Sequence, residues 1–257
     1  MTTLRDHLEA RRGAGRKLLV PYVMGGRPSI AEWPRAYAMV AEHADAVEIG
    51  LPYSDPLMDG PVIAAAGERA IRSGLGPLDV LDSSAGLPAG VPRLVMTYYN
   101  PIHRLGEIEF CRRAAAAGIA GVIVPDLPVE ESAALRKAAA DAGLAWVPLV
   151  APTSSPERVG AITATATGFV YAVSTLGVTG ARASLSERAA SVVARCRAAT
   201  NLPVLVGIGV TTADQAVEAA EAADGVVIGT AVVRLIEGGG PEAGAFLAGV
   251  RAALGAI

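Results

Sequence analysis

The chain has 257 residues, 52% hydrophobic and only 18% charged, so it can bury a large core and is not a disordered or collagen-like polymer. Twenty-two basic against 25 acidic residues leave a net charge of -3 with no basic stripe, which argues against nucleic acid as a partner. No apolar run approaches the ~18 residues needed to span a bilayer, and Met1-Thr2-Thr3-Leu4-Arg5-Asp6-His7 lacks the basic-then-apolar order of a secretory signal, so the expected setting is the cytoplasm, away from membranes.

In chain order, Thr3–Arg12 reads as an opening helix, and strand-like and helix-like stretches then alternate. The predicted pairs are Leu18–Val23 with Ile30–Glu42, Ala46–Ile49 with Val62–Ser73, Arg93–Thr97 with Ile108–Ala117, and Gly121–Val124 with Glu130–Ala142. They continue with Ala145–Leu149 and Pro156–Ala164, Gly168–Val173 and Leu185–Thr200, Pro203–Gly207 and Ala213–Ala222, and Gly225–Ile228 and Ala231–Glu237, before a closing helix at Glu242–Leu254. Several strand candidates are apolar throughout, as strands covered on both faces must be. About eight strand-helix units without a linker or a second composition zone predict one domain over residues 1–257. Its fold class is α/β, a single (β/α)₈ TIM barrel with extra terminal helices, in preference to an open doubly wound sheet.

Cys111 and Cys196 fall on predicted helices with no CxxC or Cys/His spacing and read as buried structural thiols. His7, His43 and His103 form no ligand cluster, His103 being expected on an exposed loop, and neither a Walker loop nor GxGxxG after the first strand is present. Neither a metal nor a nucleotide cofactor is indicated.

In a barrel of this kind chemistry gathers at the C-terminal ends of the strands. Glu48 ends an apolar strand there, with Val47 and Ile49 on the other face, so alternation points it to the interior or mouth. A buried carboxyl needs a partner or a proton, and acid-base chemistry or a structural ion pair would each account for it. Asp59 follows in a Met-Asp-Gly-Pro turn, where a helix-capping role is the alternative, and Asp55 before Pro56 suits an Asx turn. Gly177/Gly180, Gly207/Gly209 and Gly229 end or follow the last three strands, and Thr230 opens a helix. Bare backbone N–H groups, a hydroxyl and a positive helix N-terminus make a phosphate seat.

The run Glu48-Ile49-Gly50-Leu51-Pro52-Tyr53-Ser54-Asp55-Pro56-Leu57-Met58-Asp59-Gly60-Pro61 resembles the signature loop of the tryptophan synthase α-subunit family. Met96-Thr97-Tyr98-Tyr99-Asn100-Pro101-Ile102, Pro125-Asp126-Leu127-Pro128-Val129-Glu130-Glu131, Ala151-Pro152-Thr153, and Gly168-Phe169-Val170-Tyr171 followed by Gly177-Val178-Thr179-Gly180 extend the likeness from about Lys17 to Glu237. The resemblance implies retro-aldol cleavage of indole-3-glycerol phosphate to indole and glyceraldehyde 3-phosphate, with no cofactor on this chain. It also implies a β-subunit partner in an α2β2 complex, where pyridoxal phosphate belongs to the β subunit. By the same carry-over Glu48 is the main general acid/base and Asp59 the second catalytic carboxylate, Tyr171 shapes the site, and Thr179, Gly180, Gly209, Gly229 and Thr230 bind substrate, chiefly its phosphate.

Some positions depart from the family's pattern. Met24-Gly25-Gly26-Arg27-Pro28 carries a base where the family more often has an acid, Ala64 stands for a usual glutamine, Thr230 stands for serine, and the segment between Asp59 and Thr97 is short. A stand-alone lyase releasing free indole and a weakly active barrel serving mainly as a β-subunit partner are the rival readings. Another phosphate-binding aldolase or isomerase is disfavoured, because no strand-end Lys or His is available.

Overall fold

The computed structural model describes residues 2–173, 185–207 and 211–257, the side chains of 185–188 excepted. Gly177, Thr179, Gly180 and Gly209 therefore lie outside the described residues. The strands are β1 Leu18–Met24, β2 Val47–Gly50, β3 Arg93–Met96, β4 Ile119–Ile123, β5 Ala145–Trp146, β6 Leu149–Val150, β7 Val170–Val173, β8 Val204–Gly207 and β9 Gly225–Ile228. All pair in parallel, in the order β5-β4-β3-β2-β1-β9-β8-β7-β6.

The two ends of that sheet belong to one segment. Pro148 offers no N–H to a ladder, and around it the predicted strand Ala145–Leu149 is split into β5 and β6. Val147 N–H donates to Val122 O at 3.1 Å and Tyr171 N–H to Pro148 O at 3.1 Å, so the segment bonds to β4 on one side and β7 on the other and closes the barrel. Each of the eight predicted strands thus has its counterpart, the fifth in two pieces.

The helices are α1 Leu4–Gly13, α2 Trp33–Ala41, α3 Pro61–Arg72, α4 Pro77–Ser83, α5 Tyr99–Leu105, α6 Glu107–Ala116, α7 Ala133–Asp141, α8 Pro156–Thr163, α9 Leu185–Arg197, α10 Ala213–Ala222, α11 Thr230–Glu237 and α12 Glu242–Leu254. α4 and α5 are absent from the sequence-based expectation, each being too short to show a helical period. α4 starts at Pro77, with Asp79 accepting from Gly76 N–H at 2.8 Å. α5 is separated from α6 by Gly106 at φ 90°, a left-handed conformation open to glycine. His103 consequently lies on a helix rather than a loop, tilted against Tyr99 with ring centroids 5.7 Å apart.

Alternation along the strands sorts the core. Leu18, Val20, Ala46, Leu94, Ile123, Val147, Phe169, Leu205 and Val227 fill the barrel interior, with Leu4 and Leu8 of α1 packed against them. Leu19, Val23, Val47, Ile49 and Val95 face outward into the layer shared with the helices, where Cys111 and Cys196 are also buried. Above the interior plug, Tyr22 and Met24 meet Ala66 of α3 and Val233 of α11 at the mouth.

Asp45, just before β2, has no exposed surface and binds both chain ends. Its carboxylate accepts from Leu19 N–H at 2.8 Å, from Arg11 at 3.0 Å and Arg16 at 2.9 Å, and from Arg251 of α12. Asp45→Ala strands those guanidinium groups and an amide, so it is expected to cost about 3 kcal/mol in denaturant unfolding while activity per folded molecule is retained.

Candidate active site

β2 and β1 set the acid. Glu48 pairs in register with Tyr22 and with Leu94, which places it between two interior-facing neighbours. It is 1% exposed, and neither carboxyl oxygen has a hydrogen-bond partner among the described residues. Burial, reinforced by the nearby charge of Asp59, pushes its pKa up to about 8, so Glu48 holds a proton at neutral pH. The ion-pair alternative fails here, because no cation meets this carboxyl among the described residues.

Asp59 reaches the same space from the loop after β2. It does not cap a helix: Gly60 is the N-cap of α3, and Pro61 starts the helix. Burial raises the Asp59 pKa to about 6, against the pull of a hydrogen bond from Tyr98. The Tyr98 hydroxyl also accepts from Met58 N–H at 2.9 Å, and the ring stacks on Tyr53 at 5.1 Å between centroids. Asn100 Nδ2 donates to the Tyr53 hydroxyl at 3.1 Å, and Tyr99 N–H donates to Asp126 Oδ1 at 2.9 Å. Strand-end loops from β2, β3 and β4 therefore brace each other, and the acid-bearing loop is held by a tyrosine from its neighbour.

Gly229 caps α11, and Thr230 is its first residue, so the free N–H groups of that helix open at the end of β9. A Cβ at residue 229 would stand 3.3 Å from Ile63 Cδ1 and 3.6 Å from Tyr22 Cβ, placing this turn directly against Tyr22. Tyr171 projects from β7, and its ring lies where a side chain at Gly207 would be, 2.4 Å from hydroxyl oxygen to that hypothetical Cβ. Charges on Glu48 and Asp59 both act on the buried Tyr171 phenol, after burial itself, and hold it well above its ordinary pKa. Glu48, Asp59, Tyr171 and the Gly229-Thr230 turn thus share one mouth.

Tyr22 and Tyr98 are the site residues missed by sequence reasoning. The signal for Tyr22 lies in the strand pattern: Leu18, Val20, Tyr22 and Met24 alternate, and the third carries a polar tip at an interior position in register with Glu48. Arg27, the base standing for an acid, donates to Glu237 at 2.6 and 2.9 Å, and Arg69 of α3 donates to the same carboxylate at 2.6 Å. Burial opposes ionisation of Glu237, but these bonds prevail and keep its pKa low. The departure is thereby neutralised, and it ties the loop after β1 to α3 and α11.

A model of the tryptophan synthase alpha chain family matches residues 8–250. The chain belongs to that family. It is 48% identical to the tryptophan synthase alpha chain of Streptomyces avermitilis, over 99% of this chain and 92% of that one. It is 38% identical to the alpha chain of Methanocaldococcus jannaschii, over 91% and 84%. Among solved structures, Mycobacterium tuberculosis tryptophan synthase superposes with a TM-score of 0.90 at 38% identity, over 99% of both chains. Tryptophan synthase subunit alpha of Legionella pneumophila gives 0.90 at 31% identity, over 100% of both. The fold is the TIM barrel of these proteins. Membership makes the chain a carbon-carbon lyase of tryptophan biosynthesis, cleaving indole-3-glycerol phosphate.

The unpartnered carboxyl has a stability signature. Folding raises Glu48 from the ordinary 4.5 to about 8, so the native state binds the proton more tightly than the unfolded chain and loses stability as pH climbs through that window. The slope from this group is at most about 1.4 kcal/mol per pH unit. Glu48→Gln is expected to melt above the parent at pH 8 and close to it near pH 4.5, as measured by thermal unfolding across pH.

Proposed function

We propose that Glu48 and Asp59 carry the retro-aldol cleavage in this chain, with the substrate's phosphate held by Gly180, Gly209, Gly229 and Thr230, with Thr179 also binding substrate, and with Tyr171 shaping the pocket. The observation that carries this reading is the buried carboxyl of Glu48, without a partner among the described residues, beside a second carboxyl whose pKa differs from it. With values of about 8 and about 6, one group is protonated and the other charged at pH 7.

That difference divides the work. Protonated Glu48 delivers its proton to indole C3, and positive charge grows on the ring nitrogen. Charged Asp59 accepts the ring N–H and stabilises that charge. Glu48, now a carboxylate, takes the proton of the hydroxyl on the carbon next to the ring. The carbon-oxygen double bond forms, the carbon-carbon pair returns to the ring, and indole and glyceraldehyde 3-phosphate separate. Glu48 ends as it began, so no cofactor on this chain is required. Phosphate binding at the head of α11, remote from the bond that breaks, keeps the short substrate in register.

The partner follows from the family and from the loop that carries Asp59. Leu57 is 89% exposed and Met58 50% exposed on that loop, an apolar pair that a β subunit in an α2β2 assembly would cover while receiving the indole. Pyridoxal phosphate belongs to that subunit. A cytoplasmic setting goes with this reading, and no helix among the described residues is long and apolar enough to cross a membrane.

Glu48→Gln is expected to lower kcat by about 10²- to 10⁴-fold in an indole-release assay, a barrier increase of roughly 3–5 kcal/mol, with the barrel intact by circular dichroism. Turnover within a few-fold of the parent removes Glu48 from the mechanism. For the parent, kcat/KM is expected to be bell-shaped, falling on the acid side near pH 6 as Asp59 loses its charge and on the alkaline side near pH 8 as Glu48 loses its proton. Adding a β subunit is expected to speed indole formation, and equal rates with and without it favour a lyase that works alone.

A further inference from the structure

Tyr22 sits between the acid and the phosphate seat, and its phenol has been given no task. On β1 it is in register with Glu48, so both side chains enter the interior at one level. Its ring then crosses onto β2. A Cβ at residue 50 would stand 1.8 Å from the Tyr22 hydroxyl oxygen and 2.4 Å from Cζ, so the hydroxyl occupies the interior-facing side-chain space of Gly50. Residue 50 lies two positions beyond Glu48 on the same face of the strand, toward the mouth. At its other end, Tyr22 Cβ lies 3.6 Å from where a Gly229 Cβ would be. A small substrate whose phosphate rests on the Gly229-Thr230 turn and whose breaking bond lies over Glu48 must pass along this ring.

We propose that the Tyr22 hydroxyl is a catalytic hydrogen-bond donor aimed at the substrate oxygen that leaves as the aldehyde, a role that rests on the reading of Glu48 as the acid-base group. Neither Glu48 carboxyl oxygen has a hydrogen-bond partner among the described residues, so the phenol is not engaged with that carboxyl. Burial first, and then the charges of Asp59 and Glu48, hold the phenol well above its ordinary pKa, which keeps the proton on Tyr22 and makes it a donor rather than a base. The balance of the step is unchanged by it. The substrate hydroxyl proton goes to Glu48, the carbon-carbon electron pair goes to the ring, and Tyr22 keeps its own proton while its hydrogen bond strengthens against the negative charge that grows on oxygen. A donor fixed in a dry site where charge develops is stronger in the transition state than in the ground state.

The test is Tyr22→Phe, which deletes one oxygen and keeps the ring over Gly50. Expected is a fall in kcat of about 100- to 1,000-fold, with KM and the inhibition constant of glycerol phosphate close to the parent's. The thermal transition and the alkaline limb of the pH profile should stay where they are. A folded variant whose kcat lies within twofold of the parent from pH 6 to 9 overturns the proposal. So does a variant in which KM alone rises, because the hydroxyl would then serve binding and not the reacting oxygen. Glu48→Gln run beside it separates the two claims: an inactive Glu48→Gln with a normal Tyr22→Phe defeats the donor role alone, whereas an active Glu48→Gln defeats the reading on which it stands.

Discussion

Side chains on the strands of a closed parallel barrel alternate between a dry interior and a helix-covered shell, and the whole molecule depends on that constraint. Along β2 it sends Val47 and Ile49 outward and Ala46 and Glu48 inward. Two acids three positions apart meet it in opposite ways. Asp45, at the base, is wrapped by guanidinium groups from both chain ends and by a strand amide. Glu48, nearer the mouth, is buried almost as completely and meets no partner among the described residues. The first arrangement compensates a buried charge and joins elements far apart in sequence. The second keeps a carboxyl neutral at pH 7, in readiness to give up a proton.

Glycines make room for two aromatic rings beside Glu48 and Asp59. Gly50 and Gly207 leave interior positions empty, and the rings of Tyr22 and Tyr171 occupy the space from the neighbouring strands. Both phenols feel the charges of Glu48 and Asp59, so the rings stand at the same mouth as the two acids.

The mouth is held by contacts among loops. Tyr98 bonds Met58 N–H and the Asp59 carboxyl while stacked on Tyr53, and Asp126 takes the next amide, that of Tyr99. On the other side Glu237 joins Arg27 and Arg69. The first set joins the loops after β2, β3 and β4, and the second ties the loop after β1 and α3 to the last residue of α11.

The sequence by itself determined the alternation of strands and helices, the inward direction of Glu48, and the glycine-and-threonine opening of α11, because each depends on local period or on residue type. Its signature loop also carried the family. Tertiary structure alone decided which neighbours each of these met. Nothing local says that Pro148 splits one strand so that its halves close the cylinder, that Asp59 leaves the helix cap to Gly60, or that Arg27 finds Glu237 at the far end of α11. Nor could spacing show that Asp45 is compensated and Glu48 is not. Whether a buried acid is paired depends on side chains brought from residues tens to hundreds of positions away, and only closure of the barrel puts them within hydrogen-bonding distance.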